Sequence, residues 1–284
     1  MLDRKKTLRQ IDDDLAWLES RYQRLDLPGW PDALVYDSGG SGDVLIFVPV
    51  LPPFDVIHVP NIKHFIQKYR VVAYRRRESR DHPIFPDERA TEIAVLMDRL
   101  SIESAHFCGL NEGAIAVSYL AQESPQRIKS IVCTCIGMDN LVSGFQRWFT
   151  THFPFTPSAA LIGQMVRLFA LPTAADGYLV SYLWSKTPNA KATLLNGVLP
   201  IYENYFLPIK HLTMPVLNIQ SSPVVSLDSA QRFVNALPRG ELKILPGKAH
   251  LCMWTHAAEF NQLMEEFYAG LEVKGQASSR SQTT

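Results

Sequence analysis

Residues 105–116 pass from an apolar run, Ala105-His106-Phe107-Cys108, to a helix opening, Ala114-Ile115-Ala116, through only five residues, Gly109-Leu110-Asn111-Glu112-Gly113. A turn this sharp holds its central residue in a strained backbone conformation. Side chains at the flanking positions would clash, so glycine stands at both. The chain is thereby limited to folds in which a buried strand feeds directly into a helix.

The neighbouring segments repeat the pattern. Residues 44–48 (Val-Leu-Ile-Phe-Val) and 70–74 form near-continuous apolar runs, as expected of strands buried on both faces of a parallel sheet. Strands are also expected at 33–36, 128–136, 215–219 and 242–245. Helices are expected at 59–69, 87–100, 112–122, 229–237 and 257–271, from apolar side chains at three- and four-residue spacing. Strands alternating with helices over this length predict an α/β fold, a parallel sheet covered on both faces.

Two segments stand outside the alternation. Leu8, Ile11, Leu15, Leu18, Tyr22 and Leu25 recur at helical spacing, which predicts a helix over 2–27 stopped by Leu27-Pro28-Gly29-Trp30-Pro31. Residues 1–30 are thus read as a helical arm, packed on the domain or joining two copies into a homo-oligomer. Residues 139–211 are rich in large apolar groups, among them Trp148, Phe149 and Trp184, and are read as a helical cap over the carboxyl edge of the sheet. The core then comprises 31–138 and 212–272, with a polar, flexible tail over 273–284.

Composition removes several function classes. The 28 basic and 28 acidic residues balance, so neither nucleic acid nor an anionic membrane is an expected partner. No apolar run approaches the roughly 18–20 residues of a membrane span. The charged N-terminus has no signal-peptide core, and four cysteines do not make a secreted disulfide framework, so a cytoplasmic setting is expected. His250, Cys252 and His256 match no common metal spacing; neither metal nor cofactor is expected.

In order and spacing these pieces resemble the α/β-hydrolase superfamily over roughly residues 33–271, and within it the capped subgroup of esterases, epoxide hydrolases and haloalkane dehalogenases. The five-residue turn matches that family's nucleophile elbow, Gly-x-Ser-x-Gly. The loop after residues 44–48 matches its oxyanion loop, and Leu245-Pro246-Gly247-Lys248-Ala249-His250 the loop carrying its histidine. The resemblance implies an α/β-hydrolase fold with a cap after the sixth strand, and His250 as general base.

The departures are as specific as the likeness. Asn111 occupies the nucleophile's position, and a carboxamide nitrogen, delocalised into its carbonyl, is a poor nucleophile. The family's acid loop reads Gln220-Ser221-Ser222-Pro223 here; the candidate acids are Asp139 and Asp228, or there is none. The usual His-Gly is Pro49-Val50, leaving the Leu51 and Glu112 amides as oxyanion donors. Glu112 itself reads as a first-turn helix residue, or as an acid. Arg75-Arg76-Arg77 and Arg80 read as a solvated loop, or as a receptor for a ligand carboxylate or phosphate. The expected function is binding of a small, mostly apolar molecule under the cap, lined by Trp148, Phe149 and Trp184. The alternative is a hydrolase or lyase with no covalent step, driven by His250.

Overall fold

A computed structural model of the chain describes residues 3–139, 158–197 and 208–281. Its centre is an eight-stranded sheet in the order β1-β2-β4-β3-β5-β6-β7-β8. The strands are β1 (Gln23–Leu27), β2 (Trp30–Asp37), β3 (Val44–Val48), β4 (Arg70–Tyr74), β5 (Ala105–Leu110), β6 (Ile128–Thr134), β7 (Val216–Gln220) and β8 (Gly240–Ile244). The β1/β2 and β2/β4 pairs are antiparallel and all others parallel.

The longer α-helices among the described residues are α1 (Arg4–Glu19), α2 (Val59–Phe65), α3 (Pro86–Arg99), α4 (Glu112–Glu123), α5 (Ala159–Met165), α6 (Gly177–Ser185), α7 (Ala190–Gly197), α8 (Leu227–Asn235) and α9 (Ala257–Ser281). Both sheet faces are apolar because side chains alternate along each strand. Leu45 and Phe47 of β3 enter a core with residues of α1, α2, α6 and α9. Their neighbours Ile46 and Val48 enter a second core with residues of α3, α4 and α8. Phe47 is 1% exposed; truncating such a side chain to alanine typically costs about 3–5 kcal/mol.

Two expectations are corrected. The N-terminal helix ends at Glu19, and residues 23–27 instead form the antiparallel edge strand β1, with Gln23 opposite Val35 and Leu27 opposite Trp30. Pro28-Gly29 is a hairpin turn, with Gly29 at φ 72°, so it pairs its flanks where a helix stop would merely end one. The arm over 1–30 is therefore helical only in its first part, and the sheet begins at Gln23. At the other end α9 continues to Ser281, through most of the tail expected to be flexible.

Helix α1 packs on its own chain. Ile11 and Leu18 are buried in the first core. Asp14 accepts from Lys63 Nζ at 2.7 Å and Trp254 Nε1 at 2.9 Å, and Asp12 from the Tyr182 hydroxyl at 2.6 Å. Between β6 and β7 stand α5, α6 and α7. Residues 140–157 and 198–207 of that insertion, including Trp148 and Phe149, lie outside the described residues. No described helix is long and apolar enough to cross a membrane.

Candidate functional site

Asn111 joins β5 to α4 at φ 42° and ψ −111°, a region that L residues seldom occupy. Its amide donates to the Thr134 carbonyl at 2.9 Å, which ties the turn to the end of β6. Both flanking glycines are required by close approach. A Cβ on Gly109 would stand 2.8 Å from the Ala114 nitrogen, and one on Gly113 would stand 2.6 Å from the Val48 carbonyl oxygen. The second contact seats the start of α4 against the end of β3, and so against the loop carrying Leu51. Although it opens a helix, the Asn111 side chain caps none of its amides, and its Oδ1 is buried without a partner among the described residues.

His250 reaches the same edge from the loop after β8. Its Nδ1 lies 2.9 Å from the Ser222 hydroxyl and 3.9 Å from Cys135 Sγ, Cys135 being the residue after Thr134. Thus β5, β6, β7 and the His250 loop converge on one place, where parallel α/β sheets characteristically bind ligands. Burial lowers the His250 pKa, opposed by the charge of Asp176. Nε2 has no hydrogen-bond partner among the described residues.

Among the described residues no carboxylate meets the imidazole. Asp139 is 56% exposed at its side chain and pairs with Arg232 at 2.6 Å, holding its carboxyl below the usual range. Asp228 pairs with the same Arg232 at 3.0 Å. Both expected acids are therefore spent on one surface arginine. The residue that does face Nδ1, Ser222, stands in the acid loop, where a search for carboxylates passes over it.

Asp176 was equally silent in sequence, though it directly precedes the apolar run of α6. It is 3% exposed, and its carboxylate accepts the His250 amide at 2.9 Å and the Leu251 amide at 2.7 Å. The Ala175 amide donates to the Lys248 carbonyl at 2.8 Å beside it. Hydrogen bonds to a buried ionised acceptor are among the stronger ones, so the insertion grips the histidine loop directly. It also covers the loop after β3. Trp184 packs edge-on to Phe54 with centroids 6.3 Å apart, and the Thr187 hydroxyl donates to the Pro52 carbonyl at 3.3 Å. Trp184 is 4% exposed and sits within the first core. Leu51 is 7% exposed in the same core, its carbonyl accepting from the Phe54 amide.

Arg75, Arg76 and Arg77 are engaged in ion pairs and not left free for a ligand. Arg75 pairs with Asp55 and Glu19, each at 2.8 Å. Arg76, buried, pairs with Glu78 and Glu112, each at 2.6 Å. Arg77 pairs with Glu92 at 2.7 Å, and Glu92 also pairs with Arg89 at 3.0 Å. Of the run, only Arg80 is exposed. Glu112 is 2% exposed; burial pushes its carboxyl up, opposed by the Arg76 charge. All four cysteines are free and buried.

No family model matches the chain. Over 107 residues, 35% of its length, it is 31% identical to 3-oxoadipate enol-lactonase 2 of Acinetobacter baylyi, a match covering 40% of that protein. Over 193 residues, 61% of its length, it is 26% identical to a 2-hydroxy-6-oxononadienedioate/2-hydroxy-6-oxononatrienedioate hydrolase of a Pseudomonas species, covering 66% of it. The matched regions thus span less than two thirds of either relative. The crystal structure of the enol-lactonase from Burkholderia xenovorans superposes with a TM-score of 0.70 at 16% identity, covering 87% of this chain and 100% of that one.

Proposed function

We infer that this chain, which has the α/β-hydrolase fold, binds a small, mostly apolar, ester-, lactone- or acyl-like molecule beneath its insertion and does not carry out serine-type hydrolysis. The observation that supports this most is the 2.9 Å contact between His250 Nδ1 and the Ser222 hydroxyl. In a Ser–His–carboxylate system the carboxylate stabilises the imidazolium formed when the histidine takes the nucleophile's proton. A hydroxyl brings no charge to that task, and burial already disfavours the protonated ring. Asn111 offers no proton-bearing nucleophile to activate. Such parts act as a unit, so with two of them changed the third has little left to do. The similarity to a lactonase favours a carbonyl-bearing ligand.

The test is hydrolysis of short and medium acyl esters and lactones by the wild type and His250→Ala, followed by thermal shift with the same compounds. No turnover in either protein is expected, with one or more compounds raising Tm. A ligand at a hundred times its Kd stabilises by about 2.7 kcal/mol. Turnover that disappears with His250→Ala would overturn this reading. His250 would then be a base acting on water, with Asn111 and the Leu51 and Glu112 amides holding the oxyanion.

A further inference from the structure

The hydrogen bonds around His250 bear on which ring nitrogen carries the proton. Ser222 is 5% exposed, and its Oγ accepts the Val224 amide at 3.3 Å while lying 2.9 Å from His250 Nδ1. The hydroxyl hydrogen needs an acceptor of its own, because a buried donor left unpaired is costly. The Cys135 thiol adjoins, but burial pushes its pKa up to about 12, and a protonated sulfur accepts weakly. The stronger acceptor within reach is the Nδ1 lone pair. With Nδ1 accepting, the proton of the neutral ring sits on Nε2, opposite to the arrangement a carboxylate partner imposes.

We propose that His250 stands as the Nε2–H tautomer and serves a bound molecule as a hydrogen-bond donor, with Asn111 Oδ1 as the matching acceptor. This rests on the binding reading above and specifies its ligand class. Asn111 Oδ1 is buried, caps no amide and has no partner among the described residues. Nε2–H and Oδ1 are also not bonded to each other. A molecule that satisfies both brings a carbonyl or ring oxygen to His250 and an N–H or O–H to Asn111. Carboxamides and hydroxylated lactones or esters with an apolar body meet that requirement. A plain ester leaves Oδ1 desolvated and unpaired, and binds about tenfold more weakly or worse.

The tautomer is read directly from long-range proton–nitrogen correlation spectra of the full chain, 15N-labelled at histidine, at pH 7.5. His250→Gln assigns the signals. The expected result is a protonated Nε2 and an unprotonated Nδ1, with the proton moved to Nδ1 in Ser222→Asp. A wild-type spectrum with Nδ1 protonated overturns the proposal, as does a folded Ser222→Asp variant with no change. The ligand class is tested by titrating hexanamide and methyl hexanoate while following the same signals. Hexanamide should act at about tenfold lower concentration. Equal responses, or none from either up to solubility, overturn the ligand assignment. Turnover of methyl hexanoate in the same samples would sink the binding reading while leaving the tautomer to be judged on its own.

Discussion

Asn111 and Glu112 are adjacent in sequence and belong to opposite electrostatic worlds. Glu112 sits in a buried knot of charge with Arg76 and Glu78, close to the Arg89–Glu92–Arg77 pairs. Asn111 stands at the sheet edge to which the His250 ring and the Ser222 hydroxyl also come, and those two meet without a charge between them. Full charges are kept where they fasten β4 to the five-residue turn and to α3. They are missing where hydrolysis would need one to develop and be stabilised. A buried ion pair is weak evidence for stability in itself, but removing one partner is severe because it strands the other. A neutral site carries no such penalty, and can lose its chemistry without losing the fold.

Putting charge back into the neutral region is the strongest challenge to that contrast. Asn111→Ser combined with Ser222→Asp should yield ester turnover at least about a hundredfold above the wild type, given what an intact triad contributes. A folded double variant with no gain would mean that these two residues are not what limits hydrolysis at this site. Taking charge out of the knot comes next. Glu112→Ala should lose about 3–5 kcal/mol in urea unfolding, and Glu112→Leu with Arg76→Met should recover most of it. A loss under about 1 kcal/mol would show that the knot is not what holds the turn.

Asp176 lies between the two regions, a charge used to hold a neutral site. Asp176→Ala should cost about 2–3 kcal/mol and shift the His250 ring signals, since the variant frees two amides of its loop. Unchanged ring signals would break the link between the insertion and the histidine. Acid titration gives the smallest effect. Burial lowers the folded-state pKa of His250, so its neutral form stabilises the fold above about pH 6.5, and that contribution is lost as pH falls towards the folded-state value. Just below pH 6.5 the wild type should lose stability more steeply than His250→Gln, by up to about 1.4 kcal/mol per pH unit. Equal slopes would mean that the ring is hydrated enough to take up its proton while folded.

The strands of the sheet were legible wherever burial on both faces made them apolar without interruption, as in β3, β4, β5 and β7. β1 was not, because Tyr22 and Leu25 continue the spacing of α1 and only pairing across Gly29 gives them a different role. The turn at Asn111 was legible because its glycines answer to contacts within a few residues and to one neighbouring strand. The site's partners were hidden by distance and by type. Ser222 has no signature that marks a hydroxyl as a histidine's partner. Asp176 reaches His250 from far along the chain, through backbone amides that no side-chain pattern announces. The arginine run misled for a related reason, since Glu112 and Glu92, which consume its charge, belong to helices elsewhere in the chain.

The Asp176 clasp also bears on how this protein could be re-engineered. Insertions of this kind are attractive as interchangeable modules, to be swapped so that one scaffold accepts a new ligand. Here the swap would carry away the carboxylate that holds the backbone of the histidine loop. A chimera given another insertion would inherit that insertion's walls together with a loosened histidine, unless the replacement supplied an acceptor at the same point. Any rebuilt version must therefore treat the insertion and the histidine loop as a single part.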